Sequence, residues 1–357
     1  MTLAQVHYPS SPIQPGELDG YLAQGWFRMG QTIFTTHILY YDRIFYSAVW
    51  LRIPLRELEE SKTFRKLKKL NAPFHVVFRP ALADQEKEEL FAKYKRTLPF
   101  EASASLEHLL FGKNISPDIY NTWEVALYDN NRLIAAGFFD LGQGSAAGIS
   151  SFYDPEYKKH SLGKYLIYLK IEYCSKLGLQ YFYPGYFVPG YAVFDYKLDI
   201  ASSVLEFYSL HHGGQWRSIK EFSVSSAPLE EMQAKLVLLS EKLLSYQLSA
   251  QFFHYEFYNA NLTPEFQGLD LFDFPVFLYC FELPGELISP VVVYDPRDQQ
   301  YHLIHCESLF KTEYPIVPQT NYAANLLTMR KYLFSTPSEE VMAEQLVALW
   351  EGIKSKF

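Results

Sequence analysis

Residues 149–200, ISSFYDPEYKKHSLGKYLIYLKIEYCSKLGLQYFYPGYFVPGYAVFDYKLDI, constrain the fold more than any other part of the chain. They read as a strand, a polar turn, a long helix, a second strand and an aromatic exit loop. The turn YDPEYKKHSLGK places small and basic residues where the helix begins. The first turn of a helix has backbone N–H groups without partners and carries a partial positive charge, which suits phosphate or another anion. The helix is expected from about Ser161 to Leu177, with Gly178 as its stop. Pro184-Gly185 ends the strand that follows.

The elements around this unit are also legible. GELDGYLAQG is a short helix, and WFRMGQTIFTTHILYYDRIFYSAVW reads as strands with turns. RELEESKTFRKLKKL (56–70) is a helix with Leu58, Phe64, Leu67 and Leu70 as its apolar stripe and a cluster of lysines and arginine beside it. FHVVFRP is a strand closed by Pro80, and DQEKEELFAKYKRTL a helix with Asp84 as N-cap. TWEVALYDNNRLIAAGFFDLGQGSAAGISSFYD is a meander turning at Asn130-Asn131 and at GQGS. Pro228 to about Ser249 is an amphipathic helix with Leu229, Met232, Leu236, Leu239 and Leu243 in register. VFLYCFEL, SPVVVYDP and YHLIHCES are expected strands; VPQTNYAANLLTMRKYLF and PSEEVMAEQLVALWEGIKSK are expected closing helices.

At 357 residues with 48% hydrophobic content, the chain has material for two domains, or for one domain with a large appendage. Its 28 tyrosines and 28 phenylalanines carry much of the apolar burial, and buried phenol hydroxyls need partners. Many tyrosines are therefore expected at a core edge or along a cleft. The net charge of −8 rules against bulk nucleic-acid binding, so any RNA partner must use a local basic patch. The three cysteines, Cys174, Cys280 and Cys306, are far apart; no zinc signature or disulfide framework is present. No signal pattern opens the chain and no apolar run is long enough to span a bilayer, so a cytoplasmic protein without a membrane partner is expected.

The order of hairpin, third strand, helix and fourth strand resembles the core of a Gcn5-type acyltransferase. Three patches further resemble the arginyl- and leucyl-tRNA–protein transferases: AVWLRIPLRELEESKTFRKLKKLN (48–71), the stretch from Trp123 to Tyr186 with its DP, SLG and Tyr-Gly-Tyr landmarks, and FDYK (194–197), where the family has a MxYK-type signature. The likeness spans roughly residues 15–220. It implies an α+β fold, a GNAT-like mixed sheet flanked by helices. Residues 1–100 would be the family's N-terminal region, 101–224 the transfer domain, and 225–357 a C-terminal α/β extension without a counterpart. It implies transfer of arginine or leucine from aminoacyl-tRNA to the N-terminal amine of a protein, marking that protein for degradation. The partners would be aminoacyl-tRNA and proteins with exposed N-termini, and the enzyme a monomer. Family members often carry a cysteine cluster before the RIPV-like strand, but ILYYDRIFYSAVWLRIP has none, so no iron–sulfur cluster or other cofactor is expected. Ala192-Val193 replace the usual Pro-Lys before the signature. Two alternatives stand beside this reading: an acyl-CoA-dependent N-acyltransferase, and a non-catalytic GNAT-like binding protein.

Such a transfer needs two aligned substrates, a proton acceptor and stabilisation of an oxyanion. Backbone groups at Ser161, Leu162 and Gly163, with Lys158 and Lys164, are candidates for the tRNA acceptor end or a coenzyme A phosphate; Lys159 adds charge. Asp154 is a candidate acid/base, or a turn residue before Pro155. Tyr186 and Tyr196 are candidate catalytic groups. Tyr183, Lys197 and Glu124 are candidates for the substrate pocket; strand packing, a solvated lysine and an exposed strand carboxylate are their ordinary readings. Lys62, Arg65, Lys66 and Lys69 are the candidate contacts to the tRNA backbone. Trp50 and Arg52 read chiefly as packing at a strand end. His211-His212, His302 and His305 lack a completing ligand set, and no metal is expected there.

Overall fold

The computed structural model describes residues 3–98, 102–112, 118–266, 268–281, 290–309, 321–322 and 325–355. The N-terminal segment folds as β1 (Ala4–His7), helix α1 (Pro15–Ala23), β2 (Phe27–Met29) and β3 (Thr32–Thr36), a three-stranded sheet, followed by the hairpin β4 (Ile38–Tyr41) and β5 (Ile44–Ser47). The chain then enters an eight-stranded sheet made of β6 (Val49–Pro54), β7 (His75–Pro80), β8 (Thr122–Asp129), β9 (Arg132–Leu141), β10 (Ser145–Tyr153), β11 (Tyr181–Phe187), β12 (Glu206–Ser209) and β13 (Gln215–Ser218). Their spatial order is β13-β12-β6-β11-β10-β9-β8-β7. Strands from residues 1–100 thus lie inside the same sheet as those from 101–224, with β6 between β11 and β12.

Helices cover both faces. On one, α5 (Leu162–Lys176) lays Leu162, Leu166 and Leu169 on Ile134, Phe139, Ala146 and Phe182. Beside it α2 (Lys62–Leu70) adds Phe64 and Leu67. Leu70, expected in that stripe, is 46% exposed because the helix ends there and Asn71 caps it. Gly178, at φ +77°, closes α5, with the Leu179 N–H donating back to Cys174 O. On the other face α3 (Gln85–Lys95) and α4 (Leu106–Phe111) cover Ala126, Ala136, Phe138 and Phe152, while Leu18, Leu22 and Phe27 of the N-terminal segment cover Trp50, Ala147 and Tyr183.

Helix α6 (Pro228–Ser245) buries all five predicted apolar positions. It lies on a six-stranded sheet formed by β14 (Gln251–Tyr255), β15 (Val276–Tyr279), β16 (Val291–Asp295), β17 (Gln300–Ser308), β18 (Asn321–Tyr322) and β19 (Leu327–Thr336), with α7 (Glu339–Lys354) beside it. The helix expected over 317–334 is corrected where it is described: Leu327–Thr336 is an edge strand paired antiparallel with β17. Pairing against β17 overrides the helical periodicity of MRKYLF; residues 310–320 and 323–324 lie outside the described residues. One apolar core runs from Leu22 and Phe27 through α6 to Val291–Val293, so the C-terminal part and the N-terminal segment share their burial.

Candidate active site at the strand split

Strands β10 and β11 are parallel, and they pair only at Ser145↔Tyr181, Ala146↔Phe182 and Ala147↔Tyr183. Beyond these positions β10 follows β9 and β11 follows β6. Two irregularities open the split. In β10 the register shifts between Gly148 and Ser150, leaving Ile149 outside the ladder. In β11 it shifts between Phe182 and Gly185, across Pro184, which has no N–H to donate. The resulting lips, Ala147–Ile149 and Pro184–Tyr186, border a cavity of about 460 Å³ that Phe34, Trp50, Phe194 and Lys197 also line.

Lys197 occupies the lip. Its Nζ donates to Tyr186 O at 2.6 Å and lies 5.3 Å and 5.2 Å from the ring centres of Tyr186 and Phe194. Gly185 makes room: at φ +86°, a Cβ there would stand 3.2 Å from that Nζ. The residue borders the cavity and keeps partial exposure, yet protein surrounds its ammonium. Burial pushes its pKa down to about 7, against the pull of the two ring faces toward the charged form.

Lys170 lies beneath β10, on the apolar side of α5, and is 2% exposed. Its Nζ donates to Ser150 O (3.1 Å), Ser151 Oγ (3.0 Å) and Phe138 O (3.3 Å). Phe138 and Ser150 are cross-strand partners at the bulge, so this ammonium satisfies carbonyls beside the ladder defect. Burial lowers its pKa to about 7; Cys174 opposes the shift and Lys197 adds to it. The sequence reading missed Lys170 and the Gly148–Ile149 bulge. The first had a signal: Leu162, Leu166, Lys170 and Cys174 recur every four residues, putting a lone lysine in an apolar row.

Of the predicted site residues, the split brings Tyr186 and Lys197 together. Others sit elsewhere for clear reasons. Tyr183 is 1% exposed, packed edge-on against Phe27 and Trp216, and burial raises its pKa to about 12. Tyr196 lies outside the cavity lining; it is 43% exposed, with its pKa raised to about 12 by the protein around it. Glu124 is buried rather than exposed, and is held by Arg79 (2.6 Å), Lys87 (3.2 Å) and the Leu82 N–H (3.0 Å). Asp154 caps the turn Pro155–His160 through the Glu156 N–H and pairs with Arg132 and with Lys93 at 2.7 Å. Burial works to raise its pKa, but these partners hold the carboxyl below the usual range. Both carboxylates are therefore committed to fold contacts. Trp50 packs as expected, 3.6 Å from Phe27 with its indole N–H on Thr36 O, and Arg52 pairs with Glu206 over Tyr181 and Trp216.

The phosphate-seat residues lie at the start of α5, outside the lining of this cavity. Ser161 adopts a left-handed conformation (φ 51°, ψ 42°) at the helix start, Leu162 is buried, and Gly163 lets the helix approach the Tyr153 ring. Lys164 pairs with Asp199 at 3.3 Å. Lys158 and Lys159 are exposed. The basic helix ends beside this turn: Asn71 Nδ2 donates to His160 O, and Phe74 packs edge-on against Tyr157 and His160. Lys62, Arg65, Lys66 and Lys69 are exposed and form no ion pair among the described residues, whereas Lys68 is neutralised by Glu60 and Glu172. The fold thus brings the end of the basic helix against the turn that carries Lys158 and Lys159.

His211 pairs with Glu231 at 2.8 Å. Asp295, Asp298 and His302 converge, but Arg297 clasps Asp295, and both His302 ring nitrogens are engaged by Ser335 and Asp298. Among the described residues, no helix is long and apolar enough to cross a membrane.

Residues 86–206, which include the split, match the family model described as arginine-tRNA-protein transferase, C terminus. An aspartate/glutamate leucyltransferase of Vibrio cholerae is 30% identical over 179 residues, 50% of this chain and 74% of that protein. The chain belongs to the aminoacyl-tRNA–protein transferase family. An aspartate/glutamate leucyltransferase of Leptospira interrogans is 31% identical over 150 residues, 41% of this chain; the chain spans only 58% of that relative's length. A tandem GNAT protein from the clavulanic acid biosynthesis pathway superposes with a TM-score of 0.30 at 12% identity, covering 58% of this chain and 59% of that one. The family resemblance read from the sequence is borne out, and so is the mixed, helix-flanked α+β sheet.

Proposed function

We propose that this protein transfers leucine from leucyl-tRNA to the N-terminal amine of a protein chain that begins with Asp or Glu, marking it for degradation in the cytoplasm. The observation that carries the reading is the split itself: two parallel strands part after three residue pairs, and a lysine with a pKa near 7 sits at their lip. The names of the Vibrio and Leptospira relatives favour leucine over arginine and acidic over basic acceptors.

The chemistry asks little covalent work of the protein. The acceptor amine attacks the ester carbonyl carbon, the amine loses a proton, and the carbonyl–oxygen bond to the ribose breaks, releasing the tRNA hydroxyl. An α-amine has a pKa near 8, so part of it is neutral near pH 7, and once it has attacked, its nitrogen is acidic enough for a base near 7 to take the proton. Lys197 has that basicity and faces the cavity. The bulge at Ile149 offers backbone outside the ladder at the opposite lip, suited to the developing oxyanion. The exposed Lys62, Arg65, Lys66, Lys69, Lys158 and Lys159 would hold the tRNA backbone, and the affinity would fall as salt rises.

The test is incorporation of labelled amino acid from leucyl-tRNA or arginyl-tRNA into peptides beginning with Asp, Glu, Lys or Arg. Leucine on the Asp and Glu peptides is the expected result. No incorporation from any aminoacyl-tRNA would sink the reading.

A further inference from the structure

A second cavity, of about 410 Å³, adjoins the first and shares Phe34, Tyr186 and Phe194 with it. It differs in chemistry. Among the described residues, no Asp, Glu, Lys, Arg or His lines it, whereas Arg28, His108, Asp140 and Lys197 line its neighbour. Its walls come from three parts of the chain: the stretch from β3 through the β4–β5 hairpin, the end and exit of β11, and Tyr258, Asn259 and Leu262 from the C-terminal part. The last three lie beyond the family-matched residues 86–206.

The C-terminal wall is keyed to the hairpin. Tyr258 is buried, its hydroxyl donates to Ile38 O at 3.0 Å, and its ring meets Phe45 at 5.6 Å. That hydrogen bond satisfies the phenol's polar end. Opposite, Tyr191 contacts Tyr46 at 5.7 Å and Phe194 at 5.9 Å. A guanidinium placed among these rings would lose water and find no counter-charge, whereas a branched aliphatic group would lose only unfavourable hydration. The shared border at Tyr186 and Phe194 separates a polar chamber with a base from an apolar one without charge.

We propose that this aromatic cavity seats the apolar side chain of the transferred amino acid, and that the C-terminal part of the chain completes the pocket through Tyr258 and Leu262. The ester carbonyl would then sit at the Tyr186–Phe194 border, with the acceptor amine approaching from the Lys197 side. This proposal rests on the transferase reading, and names the site that selects the amino acid.

Binding without turnover tests it. The probes are stable amide mimics of the charged tRNA end, 3′-leucylamido-, 3′-glycylamido- and 3′-arginylamido-3′-deoxyadenosine, titrated calorimetrically into the full chain. The leucyl mimic is expected to bind at least tenfold more tightly than the other two. Leu262→Trp, which fills the cavity from its C-terminal wall, should abolish that preference. Tyr191→Ala, on the exit loop, should reduce it, and decides the matter if the first variant has an altered thermal midpoint. Equal binding of the glycyl mimic would mean that the adenine occupies the cavity and would overturn the proposal. So would equal binding of the arginyl mimic, no binding of the leucyl mimic, or a preference untouched in both variants. A protein that shows the preference but transfers nothing would instead refute the transferase reading and leave the apolar pocket standing.

Discussion

The floor of the split and its lip each hold a lysine with no carboxylate partner among the described residues, yet the two are built differently. Under β10, Lys170 is sealed in and makes three hydrogen bonds to backbone and serine oxygens. Beside β11, Lys197 makes one, rests between two rings and borders open volume. Burial brings both to a pKa near 7. The shared shift therefore does not distinguish their roles, but the count of committed hydrogen bonds does. Lys170 spends its donors on shaping a strand; Lys197 keeps valence free for a substrate.

Lys197→Met breaks the comparison at the lip and should have the largest effect. Transfer efficiency is expected to fall by at least ~100-fold, about 2.7 kcal/mol of transition-state stabilisation. Folding should be preserved, because a methionine fills the same space without an ammionium to desolvate. Steady-state kinetics alongside a thermal melt separates the two. The wild-type rate should also climb as pH rises through about 7, when the buried amine becomes free to accept a proton, and the variant should lack that limb. A rate within threefold of wild type would remove Lys197 from the chemistry.

Charge reversal on α2 sharpens the contrast by altering capture without touching either lysine. Lys66→Glu with Lys69→Glu should raise the KM for leucyl-tRNA about tenfold at low salt and lower the slope of log affinity against log salt by roughly 1 per lost phosphate contact. Binding of the nucleoside mimics should not change. An equal loss for tRNA and mimics would show that the variant has damaged the fold instead.

How far the sequence foretold this site depends on the physics each residue obeys. Helix α5, its glycine stop and the strands around it follow local periodicity, and MRKYLF failed because strand pairing decided its state. Tyr186 and Lys197 were reached through the family resemblance, by the Tyr-Gly-Tyr landmark and FDYK; the structure adds the physical reason, a proline without an N–H and a glycine where the register of β11 shifts. Asp154 and Glu124 misled because a carboxylate's role depends on which cations arrive from elsewhere: Lys93, Arg132, Arg79 and Lys87 come from three other elements. The union of α2 with the Lys158–Lys159 turn, through Asn71 and His160, is likewise a long-range contact without local signature. The second cavity depends on Tyr258 and Leu262 reaching back to the N-terminal hairpin, which periodicity cannot show.

Lys170→Met probes the floor and should give the smallest change, one visible mainly as a pH dependence. An amine whose folded pKa is near 7, against about 10.4 unfolded, binds more protons in the unfolded state throughout that interval. Unfolding free energy then rises with pH, by up to about 1.4 kcal/mol per unit for one lysine. The contribution is complete above the unfolded pKa and is lost as pH falls through the folded one. Between pH 7.5 and 9, denaturant melts should therefore show a steeper rise for wild type than for Lys170→Met, by about 1 kcal/mol per unit. At pH 6 the variant escapes the desolvation of a buried charge but strands the carbonyls of Phe138 and Ser150, which costs roughly 1–3 kcal/mol for each group left unsatisfied. The two effects oppose, so the midpoint shift at one pH decides little, and the slope carries the test. Parallel slopes would mean that Lys170 keeps its proton at all these pH values, and that the bulge at Ile149 is held by a permanent ammonium.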